Sequence, residues 1–148
     1  MSLKDQLTEA MKAAMKAKQT ERLSTIRQLR GAIKNKEIEL GRELDDEAVI
    51  AVIGTLVKQR REAAQMYRDN SRPELAEKEE AELAVLQEYL PAQLSEEEIR
   101  AIIAEVVAQV GATSVKDLGK VMPQVMARTK GVAEGKLVNR LVREKLES

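Results

Sequence analysis

Apolar residues recur at every third or fourth position along most of the chain, which is the spacing of one buried face of an α-helix. In the first half of the chain this pattern predicts four helices. The first two run from the Ser2 cap to about Lys18 and from the Thr20 cap to about Leu40, and the next two run from a cap at Asp45 or Asp46 to about Asn70 and from Glu74 to about Tyr89. Gly41 follows the second of them, and glycine at this place is typical of a left-handed residue that ends a helix.

The last third of the chain predicts three more helices. Ser95 and Glu98 have the spacing of a capping box and predict the start of the fifth helix. Ser114 is the predicted cap of the sixth, in which Pro123 predicts a kink or a restart because proline has no N–H to donate to the residue four back. A turn over residues 130–135 leads to the last helix.

The segment from Pro91 to Leu94 separates the two sets of helices, and we place a domain boundary inside it. Residues 1–92 then form an N-terminal helical domain and residues 93–148 a C-terminal domain. The chain has no Phe or Trp and only two Tyr, and its apolar residues lie among Glu, Lys, Arg and Gln, which lose little entropy in a helix. The predicted fold class is therefore all-α, with a four-helix half followed by a three-helix tail domain.

Cysteine and histidine are both absent. Disulfides, a Cys nucleophile, a His general base, a Ser-His triad and a Cys/His zinc site are therefore excluded. We expect no catalytic residues, no metal site and no cofactor.

Two kinds of motif resemble functional sites: a phosphate-binding loop, and acidic runs of the kind that bind metal or act in acid–base catalysis. Gly131, Gly135 and Lys136 nearly spell a phosphate-binding loop, but the loop is one residue short, Leu137 replaces the Ser or Thr that would hold magnesium, and no strand precedes it. We interpret the segment as a tight turn, which leaves the start of the last helix as a seat for a phosphate of RNA. Acidic runs at residues 45–47 and 96–98 fall at helix starts, where capping explains them better than metal binding or acid–base chemistry.

Charge is unevenly distributed, although 25 basic and 25 acidic residues give a net charge of zero. Residues 74–110 contain 2 Lys and Arg against 10 Asp and Glu, whereas both flanking segments are basic. We interpret the glutamates at 77, 79, 80 and 82 as a solvated helix face. A possible second basic patch, on the second helix, comprises Arg22, Arg27, Arg30 and Lys34, and a further basic cluster comprises Lys58, Arg60 and Arg61. A solvated face and polyanion binding both remain open for them.

The N-terminus is amphipathic and contains several lysines, without the apolar core of a secretory signal. The longest uncharged apolar stretch, Ala48 to Val57, is about half of the ~20 residues that span a membrane. We therefore predict a cytoplasmic protein without a membrane partner.

Several stretches of the last third together resemble the tail motif of the GatB/YqeY family, namely Gly119 to Met122, Val125-Met126, Lys130-Gly131, Ala133 and Gly135 to Asn139. Over its whole length the chain is similar to the stand-alone YqeY proteins. In the glutamine-dependent amidotransferase B subunit, such a tail helps to grip the tRNA whose misacylated Glu or Asp is amidated. The catalytic cradle of that subunit, which holds the ATP and magnesium chemistry, has no counterpart here.

The resemblance implies contact with tRNA and no transfer of catalysis. Carried over position by position, the candidate tRNA-binding residues are Lys120, Lys130, Lys136, Asn139 and Arg140. Stand-alone members bear the label of a carbon–nitrogen ligase with glutamine as amido-N-donor. A glutaminase needs a Cys nucleophile or an activated Ser, and we interpret Ser2, Ser95 and Ser114 as helix caps.

Our leading hypothesis is a non-catalytic accessory protein that binds tRNA and is related to tRNA-dependent amidation. The near-absence of aromatic residues indicates contact with phosphates and shape, because no platform for base stacking is present. The alternative is a protein-interaction module that docks on an aminoacyl-tRNA synthetase or an amidotransferase.

Overall fold

The computed structural model describes all 148 residues and confirms the all-α class, with seven α-helices and no strand. The helices are α1 Leu3–Lys16, α2 Thr20–Leu40, α3 Asp46–Asp69, α4 Pro73–Gln87, α5 Glu96–Val110, α6 Leu118–Thr129 and α7 Gly135–Glu147. A single 3-10 turn, Val115–Asp117, precedes α6. No helix combines the length and the apolar character that crossing a bilayer requires.

The chain divides into two compact units, Met1–Leu90 and Pro91–Ser148, which we call the N-terminal unit and the C-terminal unit. Each has its own apolar core. The core of the N-terminal unit consists of Leu3, Leu7, Leu29, Ile33, Leu44, Val49, Ile53, Val57 and Leu86. The core of the C-terminal unit consists of Ile99, Ile103, Val106, Val121, Val125, Val138, Leu141, Val142 and Leu146.

Two neighbouring aspartates of the N-terminal unit cap two different helices. Asp45 accepts a hydrogen bond from the backbone N–H of Ala48 and caps its own helix, α3. The Asp46 carboxylate accepts from the N–H of Leu3 at 2.9 Å, so the first residue of α3 satisfies the start of α1. Capping therefore explains both carboxylates, and no group of three or more acidic side chains is arranged to hold a metal ion.

The predicted cap at Thr20 is wrong, because Thr20 is already the first residue of α2. Gln19 precedes the helix and accepts its first backbone bond from Leu23, but its side chain makes no capping bond. Lys18 takes the left-handed conformation, with φ 56°. The turn between α1 and α2 is therefore so short that Thr20 lies inside the second helix.

The C-terminal unit begins with the predicted capping box. Ser95 Oγ accepts from the Glu98 N–H, and Glu98 accepts from the Ser95 N–H. Gly111 ends α5 with φ 67°, the left-handed conformation that favours glycine.

Of the two predicted outcomes at Pro123, a kink or a restart, the structure excludes the restart, because α6 continues through this residue. The discontinuity lies earlier, where the 3-10 turn passes into α6 at Leu118. Pro123 is in the first half of the helix, so its missing N–H removes one backbone bond, that to the carbonyl of Gly119.

The turn before α7 is tied to the first residues of the same unit. The backbone N–H of Leu94 donates to the carbonyl of Val132 at 2.7 Å, and the Gln93 side chain donates to that of Gly131 at 3.1 Å. Gly131 has φ 78°, as a tight turn requires, whereas Gly135 is the first residue of α7. These bonds fix the place at which α7 begins.

Candidate nucleic-acid interface

Helix α7 buries one face and leaves the other open. Its buried residues are Val138, Leu141, Val142 and Leu146. The opposite face forms a shallow depression, to which Lys136, Asn139, Arg140 and Arg143 contribute polar side chains. Residues three, four and seven positions apart share one face of a helix. The sequence spacing therefore brings these four side chains together.

Three of the five residues that the sequence analysis selected, Lys136, Asn139 and Arg140, line this depression. The structure adds Arg143, which sequence reasoning did not select. The signal was available, because Arg143 follows Arg140 by three residues and Lys136 by seven. The other two predicted residues do not line the depression.

Lys130 and Lys120 lie elsewhere in the C-terminal unit. Lys130 is an exposed residue that follows α6, at the beginning of the turn before α7. Lys120 lies on α6, with Nζ 3.8 Å from an oxygen of Asp117. The pKa of that carboxyl lies below its ordinary value, because it accepts hydrogen bonds from the backbone of Thr113 and Ser114 and lies near Lys120.

The cations of the depression have partners that a ligand can replace. Arg140 lies 3.1 Å from Glu96 and 3.7 Å from Glu144, and its side chain is 56% exposed. Arg143 donates to the Asn139 side-chain oxygen at 2.9 Å. Exposed ion pairs contribute at most about 1 kcal/mol each. Replacement of a carboxylate partner by a phosphate therefore costs little free energy at this site.

The first turn of α7 supplies backbone N–H donors in addition to these side chains. Glu134 precedes the helix, and its side chain makes no capping hydrogen bond. The first N–H groups of a helix have no partner within it and carry a partial positive charge. The first turns of α7 therefore present N–H groups beside Lys136, an arrangement that favours an anion.

The charge of the depression as a whole is balanced. Three carboxylates, those of Glu134, Glu144 and Glu147, line it together with the three cations. Glu144 and Glu147 lie in the last turns of α7 and Lys136 in the first. Glu134 lies immediately before the helix, so carboxylates flank the cations at both ends of this face.

The structure separates Arg22 from the rest of the possible second patch. Arg22 forms two hydrogen bonds of 2.8 Å with the Glu88 carboxylate and lies 3.5 Å from the Tyr89 hydroxyl. The direct hydrogen bonds raise the pKa of Arg22 and lower that of Glu88. Arg22 thus joins α2 to the residues after α4 and does not lie on the face that carries Arg27.

The remaining three residues of the patch divide between two surfaces. Arg27 is exposed and lines a shallow depression with Leu23, Ser24 and Gln28. Arg30 and Lys34 line a cleft between α1 and α2. The sequence spacing predicted the shared side of the helix, but it did not predict this division.

The interpretation of α4 as a solvated acidic face is wrong for Glu79 and Glu82, whereas Glu77 and Glu80 are exposed. Glu79 and Glu82 are each 16% exposed and lie 3.4 Å and 3.1 Å from the guanidinium of Arg60. Arg60 also donates to Gln28 of α2. Glu80 pairs with Arg68. Glu79, Glu80 and Glu82 of α4 therefore pair with arginines of α3, and Arg60 is not available as part of a basic cluster.

Comparison with known proteins identifies similar chains. A protein-family model described as "Yqey-like protein" matches residues 4–146. The chain is 39% identical over 85 residues to Altered inheritance of mitochondria protein 41 of Lachancea thermotolerans, an alignment that covers 57% of this chain and 46% of that protein. The protein of the same name from Kluyveromyces lactis is 36% identical over 104 residues, which cover 68% of this chain and 56% of that protein. The chain spans about half the length of the curated relatives it matches.

These relatives are named as mitochondrial proteins, and this contradicts the prediction of a cytoplasmic protein. The prediction compared the N-terminus only with the apolar core of a secretory signal. A mitochondrial targeting segment is instead amphipathic and basic.

Proposed function

The chain belongs to the YqeY-like protein family, and on this premise we propose that it is a non-catalytic tRNA-binding accessory protein related to tRNA-dependent amidation. The proposal places the contact at the first half of the outer face of α7. It is supported chiefly by one observation: Lys136, Asn139 and Arg140 lie together in the first half of α7, with Arg143 one turn further along, and the helix start has no side-chain cap. The resemblance of this segment to the amidotransferase tail supplies tRNA as the ligand.

Charge supplies most of the expected affinity. The C-terminal unit contains no Phe, Tyr or Trp, so RNA bases have no aromatic ring on which to stack. Contact with backbone phosphates releases counterions, which makes binding fall steeply with salt concentration. We expect binding that distinguishes RNA by shape and charge more than by base sequence.

Titration of the purified protein with bulk tRNA at several salt concentrations tests the proposal. A variant with Lys136→Gln, Arg140→Gln and Arg143→Gln removes the three cations of the depression. We expect weaker binding to all tRNAs and a log–log salt slope flattened by roughly two to three units, about one for each phosphate that the variant no longer binds. Separate Lys120→Gln and Lys130→Gln variants show whether the RNA-binding surface extends beyond α7.

The matched control is Lys16→Gln, Lys18→Gln and Lys78→Gln, which removes three exposed lysines of the N-terminal unit that form no ion pair. It should leave the affinity and the slope close to those of wild type. Equal weakening by both triple variants would indicate that net charge alone governs binding, and it would refute the α7 site.

The balanced charge of the α7 face favours a second candidate function, docking on another protein. Three cations and three carboxylates on one helix face suit a polar protein surface as well as they suit RNA. Absence of tRNA binding at low salt would favour this candidate, whose partner is an aminoacyl-tRNA synthetase or an amidotransferase.

A further inference from the structure

A cleft in the N-terminal unit lies between α1 and α2, far along the chain from the α7 face. Its floor consists of Leu7 and Ile33, which are 0% and 4% exposed. The volume of about 490 Å³ lies within the range of small-molecule sites. The charged groups of its walls are Lys4, Arg30, Lys34, Glu37 and Glu43.

Arg30 is the unusual residue of this cleft. It is half-buried, yet its hydrogen bond goes to the thioether sulfur of Met11, at 2.9 Å. Sulfur is a weak acceptor, and a guanidinium has five N–H donors. Two other half-buried arginines of the same unit, Arg22 and Arg60, lie against carboxylates. Arg30 therefore retains donors for which the protein supplies no strong acceptor.

The other charges leave a positive end of the cleft around Arg30. Lys4 and Glu37 form an ion pair of 2.6 Å, and Glu37 also accepts from the backbone N–H of Leu44 at 2.9 Å. These bonds raise the pKa of Lys4 and lower that of Glu37, and each group supplies the hydrogen-bonding partner of the other. Lys34, one turn after Arg30, is exposed and forms no ion pair.

The pairing of the two helices sets the order of groups along the cleft. Lys4 meets Glu37 and Met11 meets Arg30, so α1 and α2 run antiparallel. Lys34 lies between the two contacts on α2. Its positive charge is therefore next to Arg30, while Lys4, Glu37 and the exposed Glu43, 4.0 Å from Lys4, close the other end.

We propose that this cleft binds a phosphate monoester, with the phosphate on Arg30 and Lys34 and the rest of the molecule in the space between α1 and α2. A guanidinium fork matches two phosphate oxygens, and an adjacent ammonium adds a second charge for a dianion. The volume of the cleft accommodates an organic substituent. The site lies in the N-terminal unit and does not depend on the proposed tRNA contact of α7.

The test is a titration of the full-length, isotope-labelled chain with phenyl phosphate at constant ionic strength, followed by amide NMR shifts. We expect saturable shifts in residues 4–11 and 30–37, and weaker binding of dimethyl phosphate, which carries one charge. Shifts that do not saturate, or equal binding of dimethyl phosphate, would overturn the proposal.

Variants identify the residues responsible. Arg30→Gln should weaken phenyl phosphate binding roughly ten- to a hundredfold, the loss expected for hydrogen bonds to a charged group. Arg27→Gln, a change on the same helix outside the cleft, is the matched control. Equal affinities of wild type and Arg30→Gln, or equal losses from the two variants, contradict the site. Thermal unfolding of each variant verifies that the fold persists.

A phosphate monoester can belong to a small molecule or to the end of an RNA chain. Short RNA oligonucleotides with and without a 5′-phosphate distinguish these sources. We expect the small molecule to bind and the 5′-phosphate to add nothing to the affinity of RNA. An Arg30-dependent gain from the 5′-phosphate would overturn the small-molecule assignment in favour of an RNA end.

Discussion

The two units use charged side chains differently. In the N-terminal unit, the ion pairs of Lys4 and Arg60 join helices at half-buried positions, where Glu37 is 14% exposed and both Glu79 and Glu82 are 16% exposed. The pair of Arg68 and Glu80 in the same unit is more exposed, at 45% and 44%. In the C-terminal unit, the pair between Arg140 and Glu96 has side chains that are 56% and 52% exposed. Charges of the first kind are part of the packing. Charges of the second kind can exchange their partners, and a binding surface requires this property.

The largest expected effect is that of Arg60→Ala. The change leaves Glu79 and Glu82 half-buried without their cation. Removal of one partner from a fully buried pair costs about 3–5 kcal/mol, and the residual exposure here reduces the expected loss to about 1–3 kcal/mol. Hydrogen exchange of the α3 amides under native conditions measures this loss in the N-terminal unit alone.

Arg140→Ala is the matched change in the C-terminal unit, and α6 amides should report a loss of less than about 0.5 kcal/mol. Equal losses from the two variants would remove the contrast between the units. Combining Arg60→Met with Glu79→Gln and Glu82→Gln should recover most of the stability, because no unpaired charge then remains.

The next effect concerns a cap of the C-terminal unit. Ser95→Ala removes the side-chain oxygen that accepts from the Glu98 N–H, and such a change costs about 1 kcal/mol. Urea unfolding followed at α5 residues measures it, with Ser95→Thr as the control that retains the hydroxyl. An unchanged midpoint would show that the capping box contributes nothing to this unit.

The smallest effect is the response to acid. The pKa values of Glu37 and Glu88 lie below their ordinary value of 4.5, chiefly because of hydrogen bonds from Lys4 and Arg22. Their stabilisation is complete above that value and is lost as the pH falls from 4.5 through the lowered folded-state pKa values. Asp117 has an ordinary value of 3.8, so its contribution to the C-terminal unit persists to lower pH.

Residue-resolved unfolding between pH 5 and pH 3.5 should therefore show the N-terminal unit losing these contributions first. A Glu37→Gln, Glu88→Gln double variant should flatten that dependence, whereas Asp117→Asn should not affect the N-terminal unit. The same acid dependence in wild type and the double variant would refute the assignment to these carboxylates.

Local features were predictable from the sequence. The capping box of Ser95 and Glu98 and the left-handed Gly41 depend on residues within one turn, so their spacing is sufficient. The gathering of Lys136, Asn139 and Arg140 on one face follows from the helical repeat for the same reason. The relation of Arg22 to Glu88, 66 positions apart, depends on how helices pack. No periodicity in the sequence contains that information.

The bonds between residues 93–94 and 131–132 have a consequence for the order of biosynthesis. The Gln93 side chain and the Leu94 N–H, at the beginning of the C-terminal unit, find their partners only when the turn before α7 has been made. The buried Leu146, near the chain's last residue, completes the core still later. Because a ribosome extends the chain from the N-terminus, the N-terminal unit has all its residues while the C-terminal unit is still open. A nascent chain stalled before α7 therefore exposes the apolar faces of α5 and α6 to chaperones that bind nascent chains at the ribosomal exit tunnel.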